Sequence, residues 1–149
     1  MRKIITGGIA LTLGVSTAVA GGAFAGSNGA QKAGLSTTSG DQSNCNAGTS
    51  GQGWAILNGP GQPANIKFLN GEVHLVDPAA AGQTFQIYIG SGSGGGANCM
   101  MTMDTLTANA QGIGNGHIDN ATGFPAGQYY VALFQGNAEK YASAPVTIN

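Results

Sequence analysis

Tyr129-Tyr-Val-Ala-Leu-Phe134 places two sets of side chains at alternate positions, with Tyr129, Val131 and Leu133 in one set and Tyr130, Ala132 and Phe134 in the other. Residues two apart in a β-strand point to the same side, so a period of two indicates a strand with one face toward a core. We expect Tyr129 to face that core and Tyr130 to face outward. The stretch therefore predicts a β-strand.

The same alternation recurs along the chain after residue 50, whereas helical periodicity does not. The alternating apolar positions are Trp54 and Ile56; Ile66 and Phe68; Val73 and Leu75; Phe85, Ile87 and Ile89; and Val146 and Ile148. Combinations of Gly, Pro, Asn and Asp separate these segments, as is typical of antiparallel all-β domains. The predicted fold is an all-β, antiparallel immunoglobulin-like β-sandwich of about 7–8 strands, formed by residues 51–149.

Two segments depart from simple alternation. Between residues 99 and 107 the apolar side changes near Asp104-Thr105, which predicts a β-bulge or a change of sheet. Leu106 to Ile118 predicts a hairpin around Ala110-Gln-Gly112. Its second arm is rich in glycine, so we expect that arm to be twisted or covered by another segment.

Three segments of the second half combine strands and turns: Asp104-Thr-Leu-Thr-Ala-Asn-Ala-Gln-Gly-Ile-Gly-Asn-Gly-His117, Phe124-Pro-Ala-Gly-Gln-Tyr-Tyr-Val131 and Tyr141-Ala-Ser-Ala-Pro-Val-Thr147. Together they resemble small secreted actinobacterial proteins with an immunoglobulin-like β-sandwich. The resemblance covers residues 72–148 and implies the sandwich fold. It implies no activity, because that family has none assigned.

The first residues carry the pattern of an export signal. Arg2-Lys3 supplies positive charge, Ile4 to Ala20 is apolar, and Ala23-Phe-Ala25 offers small residues for signal peptidase. We expect residues 1–25 to be a signal peptide cleaved after Ala25, and the remainder to be secreted, in an extracellular or envelope-associated location. No later run reaches the ~20 apolar residues that span a bilayer, so we expect no stable membrane insertion after cleavage.

Residues 26–50 are rich in Gly, Ser, Thr, Asn and Gln, with Leu35 as the one sizeable apolar residue. Such a composition buries too little apolar surface to offset the entropy of ordering, so it predicts a flexible arm. Cys45 lies in this arm and Cys99 in the body. Two cysteines in an exported protein most often pair, which predicts a Cys45–Cys99 disulfide that fastens the arm. A reactive or metal-binding thiol is the alternative.

Charged residues make up only 7% of the chain, with a formal net charge of −1. After the predicted cleavage site the basic residues are Lys32, Lys67 and Lys140, which are scattered. Binding of nucleic acid or of an anionic membrane needs a basic patch. We therefore expect no nucleic-acid partner.

Four residues could bind a metal ion. Glu72 and His74 are two apart, as are His117 and Asp119, so each pair lies on one side of a predicted strand. If the two strands were neighbours, imidazole and carboxylate groups could converge as ligands. The alternative is that both pairs face solvent.

Other candidate chemistry is weaker. Met100, Met101 and Met103 beside Cys99 are soft donors that suit copper, although methionine in a strand commonly fills a core. Gly90-Ser-Gly-Ser-Gly94 does not match the G-x-S-x-G order of a hydrolase elbow. We expect no enzymatic activity and no cofactor.

Tyr88, Tyr130 and Tyr141 are the candidate binding residues, since outward-facing aromatic rings on a sheet can hold polysaccharide; we expect Trp54 to face inward. The loop over residues 91–98 suggests protease inhibition, but its glycine content argues against a preorganised loop. The predicted function is a secreted, non-catalytic binding or structural module with a cell-wall polysaccharide or an extracellular protein as partner. A metal-binding protein and a glycan-binding module are the alternatives.

Overall fold

The computed structural model describes residues 24–25, 30–59, 68–92, 99–122, 124–125 and 127–148. The strands in these ranges are β1 (Phe24–Ala25), β2 (Ala30–Thr37), β3 (Gly53–Asn58), β4 (Phe68–Val76), β5 (Thr84–Ser91), β6 (Cys99–Ala108), β7 (Ile113–Thr122), β8 (Gly127–Gln135), β9 (Ala138–Ser143) and β10 (Val146–Ile148). A 3₁₀ turn, Pro78–Ala80, precedes β5. Within the described ranges, no helix has the length and apolar character needed to cross a membrane.

Eight of the strands close into an antiparallel barrel. Their order around the barrel is β2-β3-β4-β7-β6-β5-β8-β9, and β9 pairs with β2 to complete the ring. β1 pairs with β2, and β10 pairs with β8. The all-β class is confirmed, but the predicted sandwich is wrong, because the sheet closes on itself.

Strand β2 closes the ring by changing partners along its length. Ala30 to Gly34 pair with β3, whereas Leu35 to Thr37 pair with β9. The two sheet edges that would otherwise carry unpaired N–H and C=O groups are thereby joined. Inward and outward positions alternate in a barrel as they do in a sandwich, so alternation alone could not distinguish the two folds.

The prediction of a flexible arm is wrong over residues 30–50, which form part of the barrel wall and its outer surface. Leu35 is fully buried in the core. A Cβ atom on Gly34 would lie 2.5 Å from Ser50 Cβ, and one on Gly48 would lie 1.9 Å from the Ala142 carbonyl oxygen. The small residues that suggested disorder are thus needed for close packing. Residues 1–23 and 26–29 of the predicted signal peptide and arm lie outside the described residues.

The barrel interior is filled by aliphatic and aromatic side chains. They include Leu35, Leu57, Leu69, Val73, Leu75, Phe85, Ile87, Ile89, Leu106, Ile118, Val131 and Leu133. The predicted hairpin is confirmed, since Thr107 on β6 pairs with Asn115 on β7. A Cβ atom on Gly116 of the glycine-rich arm would lie 2.7 Å from Ile87 Cδ1. Side chains of β4, β5 and β6 therefore cover this arm.

The irregularity predicted near Asp104 is a β-bulge. Residues 102–104 of β6 oppose Ile87 alone on β5. The Gln86 side-chain amide donates to the carbonyl oxygens of Thr102 at 2.7 Å and Asp104 at 2.8 Å. Thr102 Oγ1 donates to the Ile87 carbonyl oxygen at 2.9 Å. Side chains of both strands therefore hold the bulge in place.

Residues 38–48, called the cover segment below, lie against the outer face of the barrel. Thr38 N donates to the Lys140 carbonyl oxygen at 3.0 Å, and Gly48 N donates to that of Ser143 at 2.9 Å. Beneath the segment is a second buried cluster, made of Cys45, Tyr88, Tyr130, Ala132, Phe134 and Ala142. Part of the barrel wall is therefore packed on both faces.

Candidate functional site

The candidate metal ligands lie on the outer face of β4 and β7, which are neighbouring strands. Glu72 and His117 are directly opposite, with 3.7 Å between Glu72 Oε1 and His117 Nδ1. His74 Nδ1 instead lies 2.6 Å from the side-chain oxygen of Asn115. Positions two apart on a strand are separated by ~7 Å, so the pairs stay apart along the strands. Among the described residues no three His, Cys, Asp or Glu side chains converge on a metal position, and Asp119 does not join the others.

Trp54 lies on the outer face of β3, beside this pair of strands. Its ring stacks on His74 with 5.3 Å between ring centroids, and Lys32 Nζ lies 4.4 Å from the centre of the Trp54 ring. The expectation that Trp54 faces the core is wrong, because Ala55 and Leu57 are the buried positions of β3. Both sets of alternate positions in this strand are apolar, so the sequence pattern was ambiguous there.

A groove of about 440 Å³ runs across the outer face of β3, β4 and β7, and its lining residues Ile56 and Glu72 lie two positions from Trp54 and His74 on their strands. Its lining includes Ile56, Asn58, Asn70, Glu72, His117 and Asp119. The close approach of β3 to β4 at its floor requires Gly71, where a Cβ atom would lie 2.4 Å from the Ile56 carbonyl oxygen. The groove thus combines amide, carboxylate and imidazole groups with an apolar contact.

Sequence reasoning identified Glu72, His117 and Asp119 but missed Ile56, Asn58 and Asn70. The missing information was strand pairing, which places Asn58 opposite Asn70 and Ile56 opposite Glu72. The only sequence signal for Asn58 and Asn70 was that each begins a predicted turn, Asn58-Gly-Pro60 and Asn70-Gly71.

The outward-facing tyrosines do not form an exposed platform. Tyr88 is 4% exposed and Tyr130 is fully buried. Both point outward from the barrel, but Gln42 Nε2 donates to the Tyr88 hydroxyl at 2.7 Å and Cys45 Sγ lies 3.1 Å from that of Tyr130. The prediction of exposure is wrong because the cover segment, distant in sequence, packs on them.

Tyr141, the third candidate binding residue, is 5% exposed and belongs to the barrel interior. Its ring meets Phe85 edge to face at 5.5 Å, and its hydroxyl donates to Asp77 Oδ2 at 2.9 Å. Burial, with the hydrogen bond to Asp77 and the charge of that carboxylate, raises the pKa of Tyr141 to about 12. Its predicted exposure is therefore wrong, whereas the predicted burial of Tyr129 is confirmed.

The predicted disulfide is confirmed. Cys45 in the cover segment is bonded to Cys99 at the start of β6, with 6.0 Å between their Cα atoms. The bond fastens the cover segment over the outer cluster that contains Tyr88 and Tyr130. A disulfide is consistent with an extracellular location.

Met100, Met101 and Met103 lie on the surface. Their exposed fractions are 50%, 61% and 92%, respectively. The alternative that they fill the core is therefore wrong. The loop considered for protease inhibition falls largely on residues 93–98, which lie outside the described residues.

Comparisons with protein-family models, with curated proteins and with solved structures found no match to this chain.

Proposed function

We propose that this protein is a secreted, non-catalytic binding module that acts outside the cytoplasm or at the cell envelope. The export-like N-terminal sequence and the disulfide support this location. The contacts of the two histidines support a non-catalytic role. His74 meets an amide oxygen and His117 faces a carboxylate, whereas nucleophilic catalysis requires a base beside a hydroxyl or thiol.

The groove across β3, β4 and β7 is the observation that supports binding. Small-molecule sites are concave, with a few polar groups that set orientation and an apolar surface that supplies contact area. Here Ile56 supplies apolar surface, and the amide of Asn58 and the carboxylates of Glu72 and Asp119 supply hydrogen-bonding groups. We infer that the ligand enters from solvent and lies across the three strands.

The chemistry of the groove favours a saccharide. Carboxylates accept hydrogen bonds and amides both donate and accept them, which matches the closely spaced hydroxyl groups of a sugar. Two carboxylates and one imidazole line the groove, so phosphate-rich and other polyanionic ligands are disfavoured. The proposed ligand class is therefore a neutral or basic cell-wall polysaccharide.

Calorimetric titration with soluble cell-wall oligosaccharides tests this proposal. We expect Glu72→Gln and Asn58→Ala each to weaken binding by about tenfold, since a lost hydrogen bond to a charged or amide group costs ~1–3 kcal/mol. Gln128→Ala is the matched control, because Gln128 is exposed on β8, outside the groove. Equal affinity in all three variants would place the ligand elsewhere, and an absence of binding by the unmodified protein would remove the proposal.

A further inference from the structure

Every methionine in the described part of the chain lies on the surface. Met100, Met101 and Met103 are 50–92% exposed, and neither buried cluster contains a methionine. Long apolar side chains grouped on a surface contribute little to folding and commonly mark a binding site. Their position calls for an explanation other than packing.

Met101 and Met103 lie on the same, outer side of β6. Thr102 between them is 5% exposed and is hydrogen-bonded to β5, so its neighbours on both sides point away. Met101 is opposite Tyr88 of the outer cluster, and Met103 lies in the β-bulge held by Gln86. The backbone beneath the two side chains is thus held by hydrogen bonds on both sides of Met103.

We propose that Met101 and Met103 form a thioether site for a soft monovalent cation, Cu⁺ or its analogue Ag⁺. Thioether sulfur is a soft ligand that selects Cu⁺ over harder ions. Each methionine has three rotatable side-chain bonds, so the sulfur atoms of two outward-facing residues two positions apart in the chain can reach one ion. Neutral thioethers bind without releasing a proton.

The surroundings of the two sulfur atoms suit a cation. Asp104 follows Met103 in the bulge and carries a carboxylate, whose Oδ2 accepts a hydrogen bond from Asp119 N at 3.4 Å. Strands β5, β6 and β7 contain no lysine or arginine. Both cysteines are bonded to each other, so no thiolate competes for the ion.

The experiment is a titration of the full-length protein with Ag⁺ in chloride-free buffer, followed by native mass spectrometry and by NMR of the methionine methyl groups. We expect one Ag⁺ per chain and shifts of the Met101 and Met103 methyl signals. Met101→Leu and Met103→Leu should each lower the affinity roughly tenfold or more, since even outer-shell changes at metal sites cost 10–100-fold. Thermal unfolding of the Leu variants checks that these exposed substitutions leave the barrel intact.

Two control variants test whether Ag⁺ binds at residues other than Met101 and Met103. Met100 pairs with Ile89, whose side chain lies in the barrel interior, so Met100 is on the opposite side of β6 and Met100→Leu should leave the affinity unchanged. His117→Gln removes an exposed imidazole that could also bind Ag⁺. The proposal is overturned if no Ag⁺ binds, if binding survives in the Met101→Leu/Met103→Leu double variant, or if His117→Gln alone abolishes it.

Discussion

Glu139 shows how a single residue links the cover segment to the barrel. The side chain lies on β9 and is 2% exposed, and Asn46 N in the cover segment donates to its Oε2 at 3.0 Å. Burial raises the pKa of the Glu139 carboxyl above its ordinary value of 4.5, and the Asn46 hydrogen bond opposes part of that change. Burial and the nearby charge of Glu139 raise the pKa of Tyr130 to about 12.

This environment predicts that the unfolding free energy depends on pH and that Glu139→Gln removes this dependence. The folded state holds the Glu139 proton more tightly than the unfolded state does. The stabilisation from this difference is therefore complete below pH 4.5, and it is lost as the pH rises through the raised pKa of Glu139 in the folded protein. The neutral glutamine does not titrate. Urea unfolding at several pH values should therefore show the unmodified protein losing stability relative to Glu139→Gln as the pH rises. A difference between the two proteins that is constant with pH would contradict this prediction.

At the scale of elements, the cover segment determines which faces of β5 and β8 are buried. Tyr129, Val131 and Leu133 fill the barrel, while Tyr130, Ala132 and Phe134 fill the cluster beneath the cover segment. Six consecutive apolar residues are the sequence signal of a strand that is buried on both faces. That signal is present in β8, but the same run also divides into two alternating sets, and alternation alone predicts one buried and one exposed face.

The disulfide should stabilise this arrangement strongly. Cys45 and Cys99 are separated by 54 residues, and the chain-entropy model gives about 4 kcal/mol for a loop of that length. We expect Cys45→Ala/Cys99→Ala to lower the unfolding free energy by about this amount and to make Tyr88 and Tyr130 accessible to iodination. Tyr141, which lies in the barrel interior, is the internal control.

Reduction of the unmodified protein breaks the disulfide but keeps both cysteine side chains. Its stability therefore shows how much of the effect comes from the covalent link and how much from cysteine packing. The prediction fails if the double variant retains its stability, or if Tyr88 and Tyr130 remain unreactive.

At the scale of the whole molecule, closure of the barrel joins parts that are far apart in sequence. Thr37 pairs with Tyr141, and Leu35 pairs with Ser143. Without β2, both β3 and β9 would present an unpaired edge, and the interior would lose a fully buried leucine. The folded unit therefore begins before residue 51, which is the boundary that the composition predicts.

Truncation tests this dependence. A chain of residues 51–149 lacks β2, the cover segment and the disulfide, so we expect it to be unfolded, with poorly dispersed amide NMR signals and no cooperative thermal transition. A chain of residues 30–149 retains these parts and is the matched control. Cooperative unfolding of the shorter chain would show that the barrel does not need β2.

The amino-acid sequence by itself determined the local features of this protein. The period of two predicted strands because side-chain direction in a strand depends only on the backbone. The hairpin between Leu106 and Ile118 and the bulge near Asp104 followed from glycine positions and a change of apolar side. With two cysteines in the chain, one intramolecular pairing was available, and it is the one formed.

Only the tertiary structure decided how these parts meet. Alternation predicts the side of the strand to which a side chain points, but not which strand lies beside it. The sequence therefore did not predict barrel closure through β2. It also did not predict the burial of Tyr88 and Tyr130 beneath residues 38–48. The groove has the same origin, because Asn58, Glu72 and His117 come together only through the pairing of β3, β4 and β7. Strand partners are chosen by the combined free energy of long-range packing and hydrogen bonding, which no local stretch of sequence contains.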